Sequence, residues 1–231
     1  DGFTYIMPKN LLKKFICIAD LRTQISGFLY GVTPKDGDDT VKEIRCIAMI
    51  PQLGTHKSVT MPKMFPVHDS IENLEPLGWI HTQPQEIKHL SPYDAVKHAK
   101  MTVDSGGKWD GDKEVVMSCA FTPGSCSLAA YRLNEAGHEW SLQNDSKAPN
   151  PPGYNSSLFD RSQLILSDRF DGFFLTPMFG GWNYNFRGVE MSVSMQYDLV
   201  RGIPEFFYDE VHRPNHFLNF AHSDLQNEED E

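Results

Sequence analysis

One stretch constrains this chain more than any other: "LGWIHTQPQEIKHLSPYDA", residues 77–95. Its apolar start reads as a short buried strand, in which side chains at i and i+2 share a face. His81 and Gln83 therefore point one way and Thr82 the other. After a polar loop, Ser91 stands where a helix N-cap belongs, Pro92 suits the first helical position, and Asp94 lies in the first turn. A strand leading into such a helix brings an acidic side chain toward the His81 and Gln83 face.

The flanking segments continue the alternation. "MPKNLLKKFICIADL" predicts a helix with Leu12, Phe15, Ile16 and Ala19 on one face, starting just after Pro8. "ISGFLYGV" and "VKEIRCIAMI" predict two paired strands, and "KEVVMSCAFT" with "CSLAAYRL" predicts a hairpin turning at Pro123-Gly124. "SLQNDSKAPNPPGYNSS" reads as a polar loop, and "LFDRSQLILSDRF" as a return to helix. Interleaved strands and helices without an internal repeat predict an α/β domain, a mixed β-sheet covered by helices. From about residue 172 the text becomes aromatic-dense and loses its periodicity. The expected organisation is a core over 1–171, an aromatic-rich appendage packing on it over 172–204, and a partner-binding segment with an acidic tail over 205–231.

Composition removes several function classes. With 31 acidic against 21 basic residues and a net charge of -10, the surface gains nothing from counterion release on nucleic acid. No direct nucleic-acid binding by this domain is expected. No apolar run reaches the length needed to cross a bilayer, and the first residues lack the pattern of a secretion signal. No membrane association is expected. The chain begins without Met, as an excised piece of a longer protein would. Cys17, Cys46, Cys119 and Cys126 form no C-x-x-C pair and read as buried thiols of a reducing compartment.

The order H-T-Q-P, six residues, then S-x-x-D resembles the H-x-H-P-x6-S-x-x-D signature of the JAMM/MPN metalloproteases. Upstream, "QISGFLYG" matches that family's E-V-x-G-x-x-x-G stretch, with Gly27 and Gly31 in register. The resemblance spans roughly residues 5–170 and implies an MPN (JAMM-like) fold. It also implies positions for chemistry: His81, residue 83 and Asp94 as zinc ligands, residue 24 as general base, and Ser91 as an oxyanion-stabilising hydroxyl. Two of these positions carry amides here. Gln83 replaces a histidine and is a poor zinc ligand, worth about 3 kcal/mol or a hundredfold in affinity. Gln24 replaces the glutamate and accepts no proton near neutral pH. Gln24, His81, Gln83, Ser91 and Asp94 are therefore expected to be vestigial, with no metal, no cofactor and no catalysis. A histidine alone on a buried strand is ordinarily a hydrogen-bonded core residue, and Ser91 and Asp94 suit capping on any reading. The inference rests on the combination.

Segments across nearly the whole chain, among them "YIMPKNLLKKFICIADLRTQISGFLYGV", "LGWIHTQ", "WNYNF" and "EFFYDEVHRPNHFLNF", resemble the carboxy-terminal MPN domains of the large scaffold proteins of the spliceosome. That resemblance implies a nuclear, non-catalytic domain in pre-mRNA splicing. Its partners would be the spliceosomal RNA helicase that unwinds paired small nuclear RNAs and other spliceosomal proteins, with ubiquitin as a further candidate. The alternatives are a zinc-dependent isopeptidase and a ubiquitin-binding module. Aromatic and arginine side chains suit interface hot spots. The candidate partner-binding residues are accordingly Phe206, Phe207, Tyr208, His212, Arg213, Pro214, His216, Phe217 and Phe220, followed by the acids Asp224, Glu228, Glu229, Asp230 and Glu231. His212, His216 and His222 begin with an H-x3-H spacing, but Pro214 lies between the first two and no cysteine is near, so no metal site is assigned to them.

Overall fold

The computed structural model describes residues 2–17, 19, 22–50, 52–61, 65–122, 125–144, 151–177, 182–186, 189–193 and 197–198. The elements are β1 (Thr4–Pro8), α1 (Lys9–Cys17), β2 (Ser26–Val32), β3 (Val41–Ala48), β4 (Leu53–Gly54), β5 (Val59–Thr60), β6 (Glu75–Gln83), α2 (Pro92–Asp104), β7 (Val115–Thr122), β8 (Ser125–Leu133), α3 (Glu135–Gln143), β9 (Phe159–Ser167), β10 (Phe173–Pro177), β11 (Trp182–Phe186), β12 (Val189–Val193) and β13 (Tyr197–Asp198). The main sheet runs β1-β9-β8-β7-β6-β2-β3-β10-β13, and a further β1–β3 pairing closes seven of these strands into a barrel-like ring. The sheet is mixed: β1 lies parallel to both β3 and β9, β6 parallel to β7, and the hairpins are antiparallel. A mixed sheet carrying helices is the expected arrangement, and its closure into a ring is a refinement that periodicity does not reveal.

Apolar residues fall into two cores. One joins Tyr5, Met7, Leu29, Ile44, Ile80 and Met117 to Leu11, Leu12 and Phe15 of α1. The other joins Phe28, Tyr30, Trp79, Val116 and Tyr131 to Ala95 and Ala99 of α2 and to Trp109. Gly78 sits where β6 changes from one core to the other. Its φ of +114° is open to glycine, and the β2–β6 register shifts beside it. Leu77 and Trp79 thus enter different cores although they are two residues apart.

Several expectations change. "LFDRSQLILS" is strand β9, not helix, because its backbone groups are claimed by β8 on one side and β1 on the other. Ser162 and Leu164, two apart, are partly buried while their neighbours Arg161, Gln163 and Ile165 are exposed, the period of a strand. Residues 4–8 form β1, so α1 begins at Lys9, Pro8 closes the strand, and Ala19 lies beyond the helix. Helix α3, capped by the Asn134 side chain accepting from Gly137 N–H, occupies a segment without a predicted helix and takes the first residues of the expected polar loop. Cys17 is exposed and Cys126 half-buried rather than buried; all four cysteines are free, and the Cys119 and Cys126 sulfurs approach to 3.6 Å across the β7–β8 hairpin. Among the described residues no helix is long and apolar enough to cross a membrane.

Candidate functional site

The site is built by β2, β6 and the first turn of α2. In the antiparallel β2–β6 pair Ser26 lies opposite His81, and Thr82 N–H donates to Ile25 C=O. Continuing that register sets Gln24 across from Gln83. Directly opposed residues share a sheet face, so Gln24, Ser26, His81 and Gln83 project toward the side covered by α2. Thr82 points to the other face, where its hydroxyl accepts from Ile25 N–H. Helix α2 starts as expected: the Ser91 hydroxyl accepts from Asp94 N–H at 3.1 Å, with Pro92 in the first turn. This cap holds the Asp94 carboxylate over the strand.

The carboxylate meets the histidine directly. Asp94 Oδ2 lies 2.7 Å from His81 Nε2, with both side chains almost entirely buried. His81 Nδ1 lies 2.9 Å from Thr82 C=O; a carbonyl only accepts, so Nδ1 carries the proton. Nε2 faces the carboxylate off the hydrogen-bond direction, which makes this a close polar contact rather than an aligned hydrogen bond. Trp79 stacks at a tilt on the His81 ring, 5.1 Å between centroids, and donates through its indole N–H to His98 Nδ1. Burial pushes the His98 imidazole down to about 3, with His138 acting in the same direction and Asp94 opposing. His98 is a neutral strut.

Gln24, Gln83, Ser26 and Asp94 are all buried, and Gln24 Oε1 has no hydrogen-bond partner. Gln52 ties the next segment down: its Oε1 accepts from Ser26 N–H and its Nε2 donates to Ser26 and Ile50 carbonyls. The short β4–β5 hairpin is fastened by Gln24 N–H donating to Thr55 C=O, and Met61 beyond it lies 3.0 Å from the Ser26 hydroxyl. Lys97, one turn beyond Asp94, donates to Val59 C=O; desolvation pulls its amine down to about 8 while Asp94 raises it. Ser26, Gln52, Met61 and Lys97 escaped sequence reasoning. Lys97 alone left a signal, the i+3 spacing from Asp94 that sets both on one helical face.

Against this geometry, residues 115–231 match the PROCT (NUC072) domain, just over half of the chain. The chain belongs to the PROCT domain family. Residues 2–103 match the JAB1/Mov34/MPN/PAD-1 ubiquitin protease family, so this PROCT protein carries an MPN-type domain. The barrel of the PROCT chain uses both matched regions, since β7 to β9 close the ring begun by β1 to β6. The protease description raises the question of zinc. Two ligands of a tetrahedral zinc, each about 2.1 Å from the metal, stand about 3.4 Å apart. His81 and Asp94 are closer than that, and the next positions offer only amides. Among the described residues no group of three or more His, Cys, Asp or Glu side chains is arranged to hold a metal. The residues of the PROCT chain do not fit a resident zinc. The candidate partner residues Phe206, Phe207, Tyr208, His212, Arg213, Pro214, His216, Phe217 and Phe220 lie outside the described residues, as does His222.

Proposed function

We propose that this chain is a non-catalytic protein-interaction domain of a pre-mRNA-processing-splicing factor 8-like scaffold, acting in the nucleus to dock and regulate the helicase that unwinds paired small nuclear RNAs. The observation that carries the non-catalytic half is the buried His81–Asp94 contact at 2.7 Å beside two amides. A metal-activated hydrolase needs an open coordination position and a base within reach of the bound water. Here the two donors close on each other, and Gln24 stands where the base would be.

The docking half is supported by sequence. Five aromatic residues and Arg213 fall between residues 206 and 220, and beyond Arg213 there are five acids and no Lys or Arg. Arg213, Phe217 and Phe220 would anchor the helicase, and the acidic tail would compete with RNA for its positively charged path at an effective concentration of about millimolar. Co-purification from nuclear extract tests this. Arg213→Ala with Phe217→Ala should weaken helicase capture, whereas deleting residues 223–231 should spare capture and relieve inhibition of unwinding at low salt. Undiminished capture by the double variant would remove the docking reading.

The alternative, a zinc-dependent isopeptidase, draws on the description of the matched MPN-type family. Cleavage of linked ubiquitin chains by the native chain, lost on His81→Ala, would establish it. Binding of ubiquitin without cleavage would leave a recognition module that retains the groove.

A further inference from the structure

The face of β2 that bears Gln24 and Ser26 also bears Tyr30, four residues and about 13 Å further along the strand. There a cavity of about 450 Å3 opens, lined by Tyr30, Phe65, Val67, Asp69, Glu72 and Trp109 among others. Trp79, His98 and Trp109 fill the second core between this cavity and the His81–Asp94 pair. The two sites are separate.

The floor is aromatic. Phe65 meets Trp109 edge-on at 5.4 Å and Phe28 at 5.1 Å, while Tyr30 and Trp109 are almost buried. The rim is acidic. Asp69 opens the 3-10 turn Asp69–Ile71, and Glu72 is its C-cap three residues on. Residues three apart eclipse in such a turn, so both exposed carboxylates stand over the same mouth. Lys108 is the one lysine or arginine among the residues lining the cavity, beside His68, whose Nδ1 accepts from Ser70 N–H; with a neutral imidazole, two carboxylates against one ammonium leave the mouth with net negative charge. Beside it Val67 is 78% exposed, the largest exposure among the large apolar side chains described.

We propose that this cavity takes an arginine side chain from an extended segment of a partner protein, with an apolar neighbour of that arginine resting on Val67. An aromatic floor alone would suit any apolar side chain; the paired carboxylates select a cation. A guanidinium fits both, being planar, weakly hydrated, able to lie on aromatic rings and able to engage two carboxylate oxygens at once. A lysine ammonium holds its water more tightly and has no flat face for the floor. The acidic rim rejects phosphate, so nucleic acid is not the occupant. The proposal is independent of the carboxy-terminal docking segment and survives its failure.

The test titrates the 15N-labelled full chain with a capped Gly-Ser-Leu-Arg-Ser-Gly peptide at low salt. Shifts should concentrate in residues 65–76 and 108–109. Replacing the arginine by neutral citrulline, or the rim by Asp69→Asn with Glu72→Gln, should weaken binding about fivefold or more. Both changes are at exposed positions, and unchanged thermal melting confirms the fold. Equal binding of the citrulline peptide would make the cavity an apolar slot and overturn the proposal. So would shifts elsewhere, or no binding at about millimolar peptide.

Discussion

Removing the Asp94 carboxylate, as Asp94→Ala, tests what the buried pair now does. Its partner His81 is fully buried and the contact is 2.7 Å. Deleting one member leaves the other without compensation, a loss of about 3 to 5 kcal/mol. For a chain of this size each kcal/mol lowers the melting temperature by about 2 to 4 °C, giving a drop of about 6 to 20 °C. Ser91→Ala is the control, since it removes only the cap and should cost about 1 kcal/mol. The paired change His81→Leu with Asp94→Leu should stay within about 2 kcal/mol of the native chain, because two apolar side chains leave no orphaned polar group. Circular dichroism melts of the four proteins decide the matter. If Asp94→Ala melts no lower than Ser91→Ala, the pair does not stabilise the fold and the argument fails.

Three further outcomes follow from the geometry. Elemental analysis after purification without chelator should find well under one zinc per chain, and Gln24→Glu with Gln83→His should raise metal uptake more than it raises isopeptidase turnover. Burial, and then the neighbouring Asp110 carboxylate, push the Glu114 carboxyl up from 4.5 to about 8, while Lys113 and Gly111 N–H pull it down. The folded state thus keeps a proton that the unfolded chain releases, so this stabilisation is full below about pH 4.5 and lost as pH rises through about 8. Glu114→Gln should gain stability relative to the native chain between about pH 5 and 8.5 in urea titrations, and parallel curves would refute the assignment. Gly78→Ala would place a Cβ 2.0 Å from Val115 C=O at a φ of +114°, so it should cost at least about 3 kcal/mol and disturb both cores; a melting temperature within about 2 °C of native would contradict the bulge.

The parts of the molecule legible in sequence were those governed by neighbours along the chain. Ser91, Pro92 and Asp94 cap a helix through bonds spanning three residues, and β2, β3, β6 and the β7–β8 hairpin carry apolar runs between turn residues. The shared face of His81 and Gln83 followed from strand alternation and the approach of Asp94 from the helix start, whereas Gln24 was brought to the site only by the resemblance of its stretch to the family motif. What escaped depends on distant partners. Strand β9 exists because β1 and β8 accept its hydrogen bonds, and nothing in "DRSQLILS" alone excludes a helix. The closing of His81 on Asp94 and the fastening of the β4–β5 hairpin through Gln24, Gln52 and Lys97 likewise join residues 13 to 38 apart in other segments, where no local period leaves a trace.

The parallel pairing of β1 with β9 has a consequence for how the chain reaches this state. Thr4 hydrogen-bonds to Gln163, a separation of 159 residues, and β1 sits between that late strand and the early β3. Such non-local pairing delays folding, because loop-closure entropy is lost before the contacts that reward it form. On a ribosome, β1 would leave the exit tunnel long before β9 is made and would wait half-paired. The edges of β1 and β8 are then open to other chains, a hazard that a chaperone or a partner would have to cover. The family matches divide at residues 103 and 115, but neither side contains a closed ring, so the unit of inheritance visible in sequence is smaller than the unit that folds.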